Sequence, residues 1–415
     1  MILANLIELF PGCRYIINDN KRNLILKVGF ILNLNHLQTL DDFRKEAKKK
    51  LPKMVFGYID GGAGSGLAVD RNSQAFNDVL LQPRTLRDVT KREQSKNLLG
   101  QQWKHPFGVA PMGLCNVANP KADQMLAYSA NRCGIPLCVS TASSTSMESM
   151  HDIAGESIWF QLYMGNSKEG TFKLVDRANE LGIKNLILSV DVPAPGYRPR
   201  EIKDGFKAPF KFGIRQILDC VVHPSWAIPY LFNGVPKFAH NVGLSQGGKA
   251  FFDRYSGTRL IADLDFLKAL RDRWKRNLFV KGVTHVEDAY SAINCGCTGI
   301  YVSNHGGRQL ESVPSSLDLL KLLRNELGPK LPILFDSGLR SGEDIIKALA
   351  LGADFVFLGR PFLFASALGY RPAIVHLIKL LEKQIDSALA QIGCRSLENF
   401  SSSVIYGSDQ LKEKV

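Results

Sequence analysis

The sequence predicts an α/β protein, a (β/α)8 TIM barrel with an N-terminal helical segment and a long insertion after its fourth strand. Two observations predict this fold. From residue 107 onward, eight short and nearly continuously apolar runs recur, which is typical of strands buried on both faces. Segments with helical periodicity separate most of these runs, and eight strand–helix units close most simply into a barrel. The alternative is an open doubly wound sheet, which rarely needs eight equivalent repeats.

The predicted elements occupy regular places along the chain. The strands are expected at 107–111, 135–140, 158–163, 185–191, 277–282, 299–304, 332–338 and 354–360. The helices between them are expected at 121–133, 168–181, 286–295, 316–327 and 342–351. Outside these repeats, the pattern predicts a helix over 40–57, before the barrel, and an amphipathic helix over 373–394 that closes the domain.

One long gap interrupts the repeats and defines the expected domain organisation. Residues 192–276 separate the fourth and fifth strands and contain only one evident helix, at 264–275. An insertion of this length is usually a lid, a binding loop or a disordered segment. We expect the chain to comprise three parts. The first is an N-terminal extension (1–35) that is disordered or results from a start codon assigned too early. The second is a barrel domain (36–395), in which residues 192–264 form a lid or membrane-contact insertion, and the third is a C-terminal tail (396–415).

The composition narrows the class of protein and of partner. The 415 residues are 45% apolar and 22% charged, which excludes a disordered chain and a coiled coil. A net charge of +13 favours anionic partners: a phosphate-bearing cofactor, an acidic substrate, a membrane surface or nucleic acid. No apolar stretch is long enough to span a membrane, and the start has no features of a secretory signal. The eight cysteines are scattered without metal-ligand spacing, so we expect reduced thiols, a cytoplasmic location and no metal site.

Polar side chains and glycines follow most of the predicted strands. In a barrel, the carboxyl ends of all eight strands face one mouth, where the chemistry gathers. The residues at these ends are Gln161, Tyr163, Ser189, Asp191, Lys281, His305, Arg308, Asp336, Gly338, Arg340, Gly359 and Arg360. Chance does not readily place so many of them together, so the sequence predicts a single site at this mouth.

The segment after the sixth strand, SNHGGRQ, carries the most informative chemistry. Its two glycines allow the backbone to approach a flat ligand closely. His305, with an ordinary pKa of about 6.5, suits proton abstraction near neutral pH. The planar guanidinium of Arg308 can make bidentate hydrogen bonds with a carboxylate. Oxidation of a 2-hydroxy acid requires a base beside such a carboxylate-binding group. His285, near the fifth strand, is the rival base, and the structural alternative for either histidine is a satisfied core or surface group.

The segments DSGLR and LGR after the last two strands predict a phosphate site. Barrels commonly bind phosphate after these strands, where backbone N–H groups and guanidinium groups neutralise a dianion. Either segment alone is a weak signal, because Gly-Arg after a strand is often only a turn. Lys281 ends a buried strand, so its ammonium is expected to meet an anion or an electron-rich ring, or to pair with Asp191 or Asp336.

Together these motifs resemble the FMN-dependent 2-hydroxy acid oxidoreductases, which include glycolate oxidase, flavocytochrome L-lactate dehydrogenases and mandelate dehydrogenase. The resemblance extends from about Leu51 to about Ser366 and covers, in order, LPKMVFGY, VAPMG, STASS, WFQLY, SVD, GYRPR, VKGV, SNHGGRQ, DSGLR and LGRPF. SNHGGRQ with its flanking pattern is highly specific, whereas VAPMG and STASS are much less so.

The resemblance implies a role for each matching residue. His305 would remove a proton and Asp191 would orient its imidazole, while Arg198 and Arg308 would clamp the substrate carboxylate and Tyr58 and Tyr163 would contact the substrate oxygens. Lys281 would lie at the pyrimidine edge of the flavin. The residues lining the isoalloxazine would be Pro111, Met112, Thr141, Gln161 and Ser189, with Gly113 and Ser303 as further cofactor contacts. The ribityl and phosphate would be held by Asp336, Gly338, Arg340, Gly359 and Arg360.

Some positions depart from the family pattern. Met112 stands where Thr is commoner, so its contact with the flavin would be made through the backbone. Gly113 occupies a position that is Ala in glycolate-oxidase-like members, a hint against plain oxidase activity. Ala142 replaces a bulky aromatic residue of oxidases that act on small substrates, which suggests a roomier pocket. The Ser-Thr-Ala-Ser run is most similar to the mandelate dehydrogenase branch.

The insertion suggests a partner surface. Residues 205–240 combine basic and aromatic side chains with Asp219 as an acid, a composition that suits an anionic lipid surface. In mandelate-type relatives this loop attaches the enzyme to the membrane, near a quinone. The alternatives are an ordinary lid or an oligomer contact. Nucleic-acid binding is not expected, because no recognised module accompanies the charge.

The sequence therefore predicts an FMN enzyme that oxidises an L-2-hydroxy acid, lactate-like or mandelate-like, to the 2-oxo acid and passes electrons to a quinone or other membrane acceptor. A 2-hydroxy acid oxidase that uses O₂ and makes H₂O₂ is the alternative, and a non-redox FMN barrel or a silent binding protein is a third hypothesis. Hydride and carbanion mechanisms both stay open. The resemblance further implies a homotetramer, cytoplasmic or peripheral on the cytoplasmic face of the inner membrane.

Overall fold

Eight parallel strands close into a barrel in the computed structural model of the chain. The structure describes residues 34–206, 210, 212–240, 260–398 and 400–407, and the backbone of two short strands near the N-terminus. The chain divides into a unit of residues 1–38 and a unit of residues 39–415. The predicted domain boundaries at 35 and 395 stay predictions.

Within its described residues, the first unit contains one antiparallel pair of strands. β1 (Cys13–Tyr15) pairs with β2 (Val28–Phe30). The rest of the predicted extension, apart from residues 34 and 35, lies outside the described residues, so disorder and a misassigned start stay predictions.

The second unit opens with three helices and a hairpin that precede the barrel. These are α1 (Leu40–Lys50), α2 (Lys53–Asp60), α3 (Leu67–Asn77), β3 (Lys96–Leu98) and β4 (Gln101–Trp103). The prediction of a single helix over 40–57 is wrong. Leu51 is extended because it precedes Pro52, and a residue before proline is driven away from the helical region.

All eight predicted barrel strands are present, in sequence order around the barrel. They are β5 (Phe107–Met112), β6 (Leu137–Ser140), β7 (Ile158–Leu162), β8 (Asn185–Ser189), β9 (Asn277–Val283), β10 (Gly299–Val302), β11 (Ile333–Asp336) and β12 (Phe355–Leu358). β12 pairs in parallel with β5, with Val356 opposite Phe107, and this pairing closes the barrel.

Helices follow every barrel strand. In chain order they are α4 (Ala122–Cys133), α5 (Met147–Ala154), α6 (Lys168–Glu180), α7 (Pro199–Asp204), α8 (Ile214–Val221), α9 (Pro224–Asn233), α10 (Leu264–Arg273), α11 (Val286–Asn294), α12 (Ser316–Leu327), α13 (Gly342–Ala350), α14 (Arg360–Ala367) and α15 (Arg371–Gln391). The predicted helices between strands and the closing helix are confirmed to within a few residues. The hydroxyls of Ser167, Ser315 and Ser341 cap the starts of α6, α12 and α13.

The interior of the barrel is filled with large side chains, which leaves one end for chemistry. Rings of Trp159 and Phe279 stack with centroids 6.0 Å apart, and Tyr301 lies 5.3 Å from Phe357. Trp103, from the hairpin immediately before β5, packs into the same cluster. The barrel is thus a packed core closed at its amino-terminal end, as is usual for this fold.

The insertion between β8 and β9 is more helical than the sequence suggested. The prediction of one helix there is wrong, because α7, α8 and α9 precede α10. Proline is common in loops, but Pro199 and Pro224 each lie in the first turn of a helix. An N–H at that position has no hydrogen-bond partner within the helix, so its absence does not weaken the helix. Residues 241–259 lie outside the described part of the insertion.

The predicted C-terminal tail is attached to the barrel domain through residue 407. Ser396 pairs with Glu93, and Ile405 pairs with Leu81. Residues 408–415 lie outside the described residues.

Candidate active site

A cavity of about 360 Å³ opens at the carboxyl ends of the barrel strands. Its lining includes residues that follow seven of the eight strands, because parallel strands in a closed barrel direct their ends to one mouth. The predicted site residues that line it are Tyr58, Pro111, Met112, Gly113, Tyr163, Ser189, Arg198, Lys281, His305, Arg308, Asp336, Gly338, Arg340, Gly359 and Arg360. Asp191, Ser303, Thr141 and Gln161 do not line it; the first two bond directly to lining side chains.

His305 and Asp191 form the expected pair. The Nδ1 atom of His305 lies 2.9 Å from Oδ2 of Asp191. A carboxylate can only accept at this contact, so Nδ1 carries the proton and Nε2 of the neutral ring is left with a lone pair. Asp191 therefore selects the tautomer that can act as a base through Nε2.

The charge states of this pair follow from burial and mutual contact. Burial lowers the pKa of His305 and the contact with Asp191 offsets this only in part, so the imidazole is neutral at pH 7. Burial opposes ionisation of Asp191, but His305 and Lys281 outweigh it and hold the pKa of Asp191 below its ordinary value. The site thus holds a neutral imidazole, which can act as a base, beside an ionised carboxylate.

His285, the rival base, has a structural role. Its Nδ1 accepts a hydrogen bond from the N–H of Glu287 at 3.3 Å and so caps the start of α11. It does not line the cavity.

Two arginines stand together in the cavity wall and share one acid. Arg308 donates from Nη2 to Oε1 of Glu201 at 2.7 Å, and Nη1 of Arg198 lies 3.5 Å from the same oxygen. Arg198 also donates from Nε to the carbonyl of Arg308 at 2.9 Å. One carboxylate balances only one of two guanidinium charges, so the pair retains a net positive charge that suits a second carboxylate.

Glu201 was missed in the sequence. It lies on α7, three residues after Arg198, on a helix that the sequence did not reveal. The i,i+3 spacing was the available signal.

Tyr58 and Tyr163 border the same space from different sides of the barrel. The hydroxyl of Tyr58 donates to the carbonyl of Gly113 at 2.9 Å, and its ring stacks on Phe206 with centroids 4.1 Å apart. The guanidinium of Arg308 lies 5.1 Å from the Tyr58 ring centroid. Tyr163 lines the cavity, and its backbone N–H donates to Oγ1 of Thr141.

Lys281 resolves one of the alternatives left open by the sequence. Its Nζ donates to Oγ of Ser303 at 2.6 Å and lies 3.1 Å from Oδ2 of Asp336, rather than pairing directly with Asp191. Burial opposes its charge, yet Asp336 and Asp191 outweigh this and raise the pKa of Lys281. Since Lys281 also lines the cavity, a charged ammonium faces any ligand there.

Two further arginines form a positive end of the cavity. Arg360 donates to the carbonyls of Ile59 and Gly61, and Arg340 donates to the carbonyl of Leu339. Among the described residues neither guanidinium makes an ion pair with a carboxylate. Burial lowers the pKa of both groups, and for Arg360 the nearby Arg308 and Arg340 lower it further. Guanidinium groups that are buried without a direct ion pair are expensive, so this end of the cavity is suited to a phosphate dianion.

Other polar atoms around the cavity fit a flavin ring. Nε2 of Gln161 and Oγ of Ser189 are buried and have no hydrogen-bond partner within the described part of the chain. Such atoms normally meet a partner, and the carbonyls and ring nitrogens of an isoalloxazine would supply one. Of these two residues only Ser189 lines the cavity. Thr141 departs from the pattern, because its hydroxyl has a partner: it donates to the carbonyl of Gln161 at 2.7 Å.

Comparison with known proteins identifies the family. Residues 47–407 match the family model described as FMN-dependent dehydrogenase. The chain is 36% identical over 368 residues to (S)-mandelate dehydrogenase of Pseudomonas putida, covering 88% of this chain and 93% of the relative. It is 35% identical to an L-lactate dehydrogenase of Caulobacter sp. (strain K31), covering 90% of this chain and all (100%) of the relative. The chain therefore belongs to the FMN-dependent dehydrogenase family, whose cofactor is FMN.

Solved structures agree with this assignment. The fold matches a crystal structure of the monotopic membrane protein (S)-mandelate dehydrogenase with a TM-score of 0.82 and 35% identity, over 89% of this chain and 98% of that one. A crystal structure of mandelate oxidase matches with a TM-score of 0.74 and 29% identity, over 87% and 96% of the two chains. The barrel, the cofactor and the assignment as an FMN-dependent enzyme are thereby confirmed, and dehydrogenases and oxidases both occur among the relatives.

Replacement of Asp191 by Asn should lower the pKa of His305 further below its ordinary value. The contact with the Asp191 carboxylate raises that pKa, so its removal leaves burial unopposed. NMR titration of the isotopically labelled imidazole measures this directly. Asp265→Asn, which removes an exposed carboxylate from α10, is the control; equal His305 titration in both variants would contradict the proposed coupling.

Proposed function

We propose that this protein oxidises an L-2-hydroxy acid to the corresponding 2-oxo acid, with His305 as the base. The observation that carries the proposal is the presence of a neutral imidazole, oriented by Asp191, in one cavity with the net positive pair of Arg198 and Arg308. A base and a carboxylate-binding pair in one wall are what removal of hydrogen from a 2-hydroxy acid needs. FMN, when bound, accepts the two electrons.

The proposed roles of the side chains follow from their positions. Arg198 and Arg308 bind the substrate carboxylate and fix the orientation of the hydroxyl-bearing carbon. Tyr58 and Tyr163 contact the substrate oxygens. Nε2 of His305 receives the proton, and the adjacent Asp191 stabilises the imidazolium that forms. Removal of the proton first or in concert with hydride transfer is compatible with these roles.

A second set of residues is proposed to hold the cofactor. Those beside the flavin ring are Pro111, Met112, Gly113, Thr141, Gln161, Ser189, Lys281 and Ser303. Those around the ribityl chain and phosphate are Asp336, Gly338, Arg340, Gly359 and Arg360. Arg340 and Arg360, whose guanidinium groups make no ion pair with a carboxylate among the described residues, support the phosphate end. The polar atoms of Gln161 and Ser189 that have no partner in that part of the chain support the ring end.

The apolar part of the cavity lining favours an apolar substrate side chain. Ala142, Val192, Pro193, Pro195 and Ile261 contribute no charge to the cavity wall. A second carboxylate would be desolvated there without a partner, so lactate-like or mandelate-like acids are favoured over dicarboxylic ones.

Purified protein carrying FMN should bleach when a suitable L-2-hydroxy acid is added without oxygen. A panel of glycolate, lactate, mandelate and longer acids, followed by flavin absorbance, tests this and ranks the substrates. His305→Asn should retain FMN but lose roughly 10²- to 10⁴-fold in the reduction rate, because the base is removed. His285→Asn is the matched control, and normal reduction in His305→Asn would place the base elsewhere.

The proposed electron acceptor is a quinone or another membrane acceptor. Turnover should then reduce an artificial dye without an equivalent yield of H₂O₂ in air. Gly113, which is Ala in glycolate-oxidase-like relatives, supports this over the oxidase alternative. Simultaneous assays of dye reduction and peroxide check it, and one H₂O₂ per substrate oxidised would favour the oxidase.

Helices α8 and α9 carry an exposed apolar surface that we propose contacts an anionic lipid bilayer. Ile214, Ile217, Leu218 and Val221 recur at helical spacing and are 79%, 52%, 61% and 67% exposed. Phe232, at the end of α9, is 85% exposed. An apolar stripe of this kind is typical of helices that lie in a membrane interface. None of the described helices is long and apolar enough to cross a membrane.

The contacts of these helices connect the proposed membrane surface to the site. The N–H of Lys53, at the start of α2, donates to Asp219 of α8 at 2.6 Å. Trp226 of α9 donates from Nε1 to the carbonyl of Val117 at 2.9 Å, and Val117 lies in the loop after β5. The apolar surface is therefore attached to segments that border the cavity. A peripheral location at the cytoplasmic face of the inner membrane, and a homotetramer, stay predictions.

Ile217→Glu combined with Leu218→Glu should reduce binding to phosphatidylglycerol-containing vesicles at least tenfold. Each replacement removes an apolar side chain whose burial is worth about 1.5–3 kcal/mol and introduces a charge that the acyl region disfavours. Cosedimentation measures binding, and turnover with a soluble dye should be unchanged. Leu86→Glu, at an exposed apolar residue outside these helices, is the control. Undiminished cosedimentation, or a change of oligomeric state instead, would favour the oligomer-contact alternative.

A further inference from the structure

Ser337 holds an unusual backbone conformation at the edge of the cavity. Its φ is 86°, in the left-handed region, although it is not glycine. It lies between Asp336 and Gly338 and lines the cavity. A side chain at such a φ costs free energy, and strain of this kind persists where the surrounding contacts require it.

The Ser337 hydroxyl connects two loops that are far apart in sequence. Its Oγ accepts a hydrogen bond from the N–H of Gly306 at 2.9 Å and donates to Oδ1 of Asp336 at 2.8 Å. Gly306 directly follows His305. The loop after β11 is thereby fastened to the turn that carries the base.

That turn is itself held in left-handed conformations. His305, Gly306 and Gly307 have φ values of 58°, 65° and 72°. Each of their N–H groups donates to a side-chain oxygen, of Ser303, Ser337 and Asn304 respectively. Ser303 and Asn304 belong to the same segment as the turn. Of these three hydrogen bonds, the one to Ser337 therefore comes from a different loop, the loop after β11.

The same hydroxyl extends a network to Lys281. Asp336 accepts from Oγ of Ser303 at 2.5 Å through Oδ1 and lies 3.1 Å from Nζ of Lys281 through Oδ2. Hydrogen bonds thus run from the Lys281 ammonium through Asp336 and Ser337 to the backbone beside His305.

We propose that Ser337 is a positioning residue, whose hydroxyl holds the His305 turn in its strained conformation relative to Asp336. The proposal deepens the proposed function and rests on it for the role of His305. The strained φ is retained because only a side chain at this position places a hydroxyl between the two loops, whereas glycine would relieve the strain and lose the contact.

Two variants distinguish the effect of losing the Ser337 hydroxyl from the effect of relieving the backbone strain. Ser337→Ala keeps the strained φ without the hydroxyl, and Ser337→Gly removes both. Leu86→Gly is the matched control, because Leu86 also has a left-handed φ, of 58°, but is fully exposed away from the cavity. Each protein is prepared as the FMN holoenzyme, with FMN content and thermal unfolding recorded.

Both Ser337 variants should exchange the amide hydrogens of residues 305–307 about three- to tenfold faster, as expected for loss of one hydrogen bond. Flavin reduction by the best substrate should slow by about tenfold or more with little change in KM, because the base is misplaced. The acid limb of the pH profile should move toward higher pH, since a loosened turn is more hydrated and burial is what lowers the pKa of His305. Ser337→Gly should unfold at a higher temperature than Ser337→Ala, and Leu86→Gly should leave exchange and reduction unchanged.

Hydrogen exchange at 305–307 tests the restraint even if no 2-hydroxy acid reduces the flavin, so the two proposals can fail separately. Unchanged exchange in both Ser337 variants would overturn the inference. So would reduction at the normal rate in Ser337→Gly, because the hydroxyl would then be dispensable.

Discussion

An excess of buried positive charge at one end of the barrel is the constraint on which the rest of the site depends. Lys281 is paired with Asp336, and Arg198 and Arg308 share Glu201. The guanidinium groups of Arg340 and Arg360, at the same mouth, make no ion pair with a carboxylate within the described chain. Burying guanidinium groups without counter-ions is costly, so this mouth is complete only with anions. In the proposed function, the phosphate of FMN and the carboxylate of the hydroxy acid would supply this negative charge.

The barrel explains why these groups meet. Closure brings residues from segments more than two hundred positions apart to one mouth, and the packed aromatic interior closes the other end. Aromatic rings fill the interior to the level of Lys281, whose Nζ lies 4.9 Å from the Tyr301 ring centroid. A ligand at the mouth thus lies on a rigid base, and its position is set by the ends of strands rather than by flexible loops.

The insertion adds the proposed membrane surface to this rigid frame. Its helices turn an apolar stripe outward while Trp226 and Asp219 fasten them to the segments around the cavity. In the same insertion Arg198 immediately precedes helix α7 and Glu201 lies on it, so the proposed membrane surface and part of the carboxylate-binding group belong to one stretch of chain. This continuity offers a direct structural route by which attachment to a bilayer and access to the site are linked.

The sequence by itself determined the eight strands, their order and most of the residues at the mouth. Continuous apolar runs and the alternation with helices are local signals, and the convergence of strand ends is a consequence of closure that needs no coordinates. The helix break at Pro52 and the helices of the insertion were harder to predict from the sequence. The reason is that proline is common both just after the end of a helix and in the first turn of one.

Only the tertiary structure decided which groups pair. Glu201 with Arg308, Lys281 with Asp336 rather than Asp191, and Ser337 with Gly306 are contacts between segments distant in sequence. Local propensity carries no information about such distances, and it disfavours the left-handed φ that Ser337 adopts. The sequence determined which chemical groups arrive at the mouth, and the folded chain decided their partners, because partner choice depends on geometry that forms only when the barrel closes.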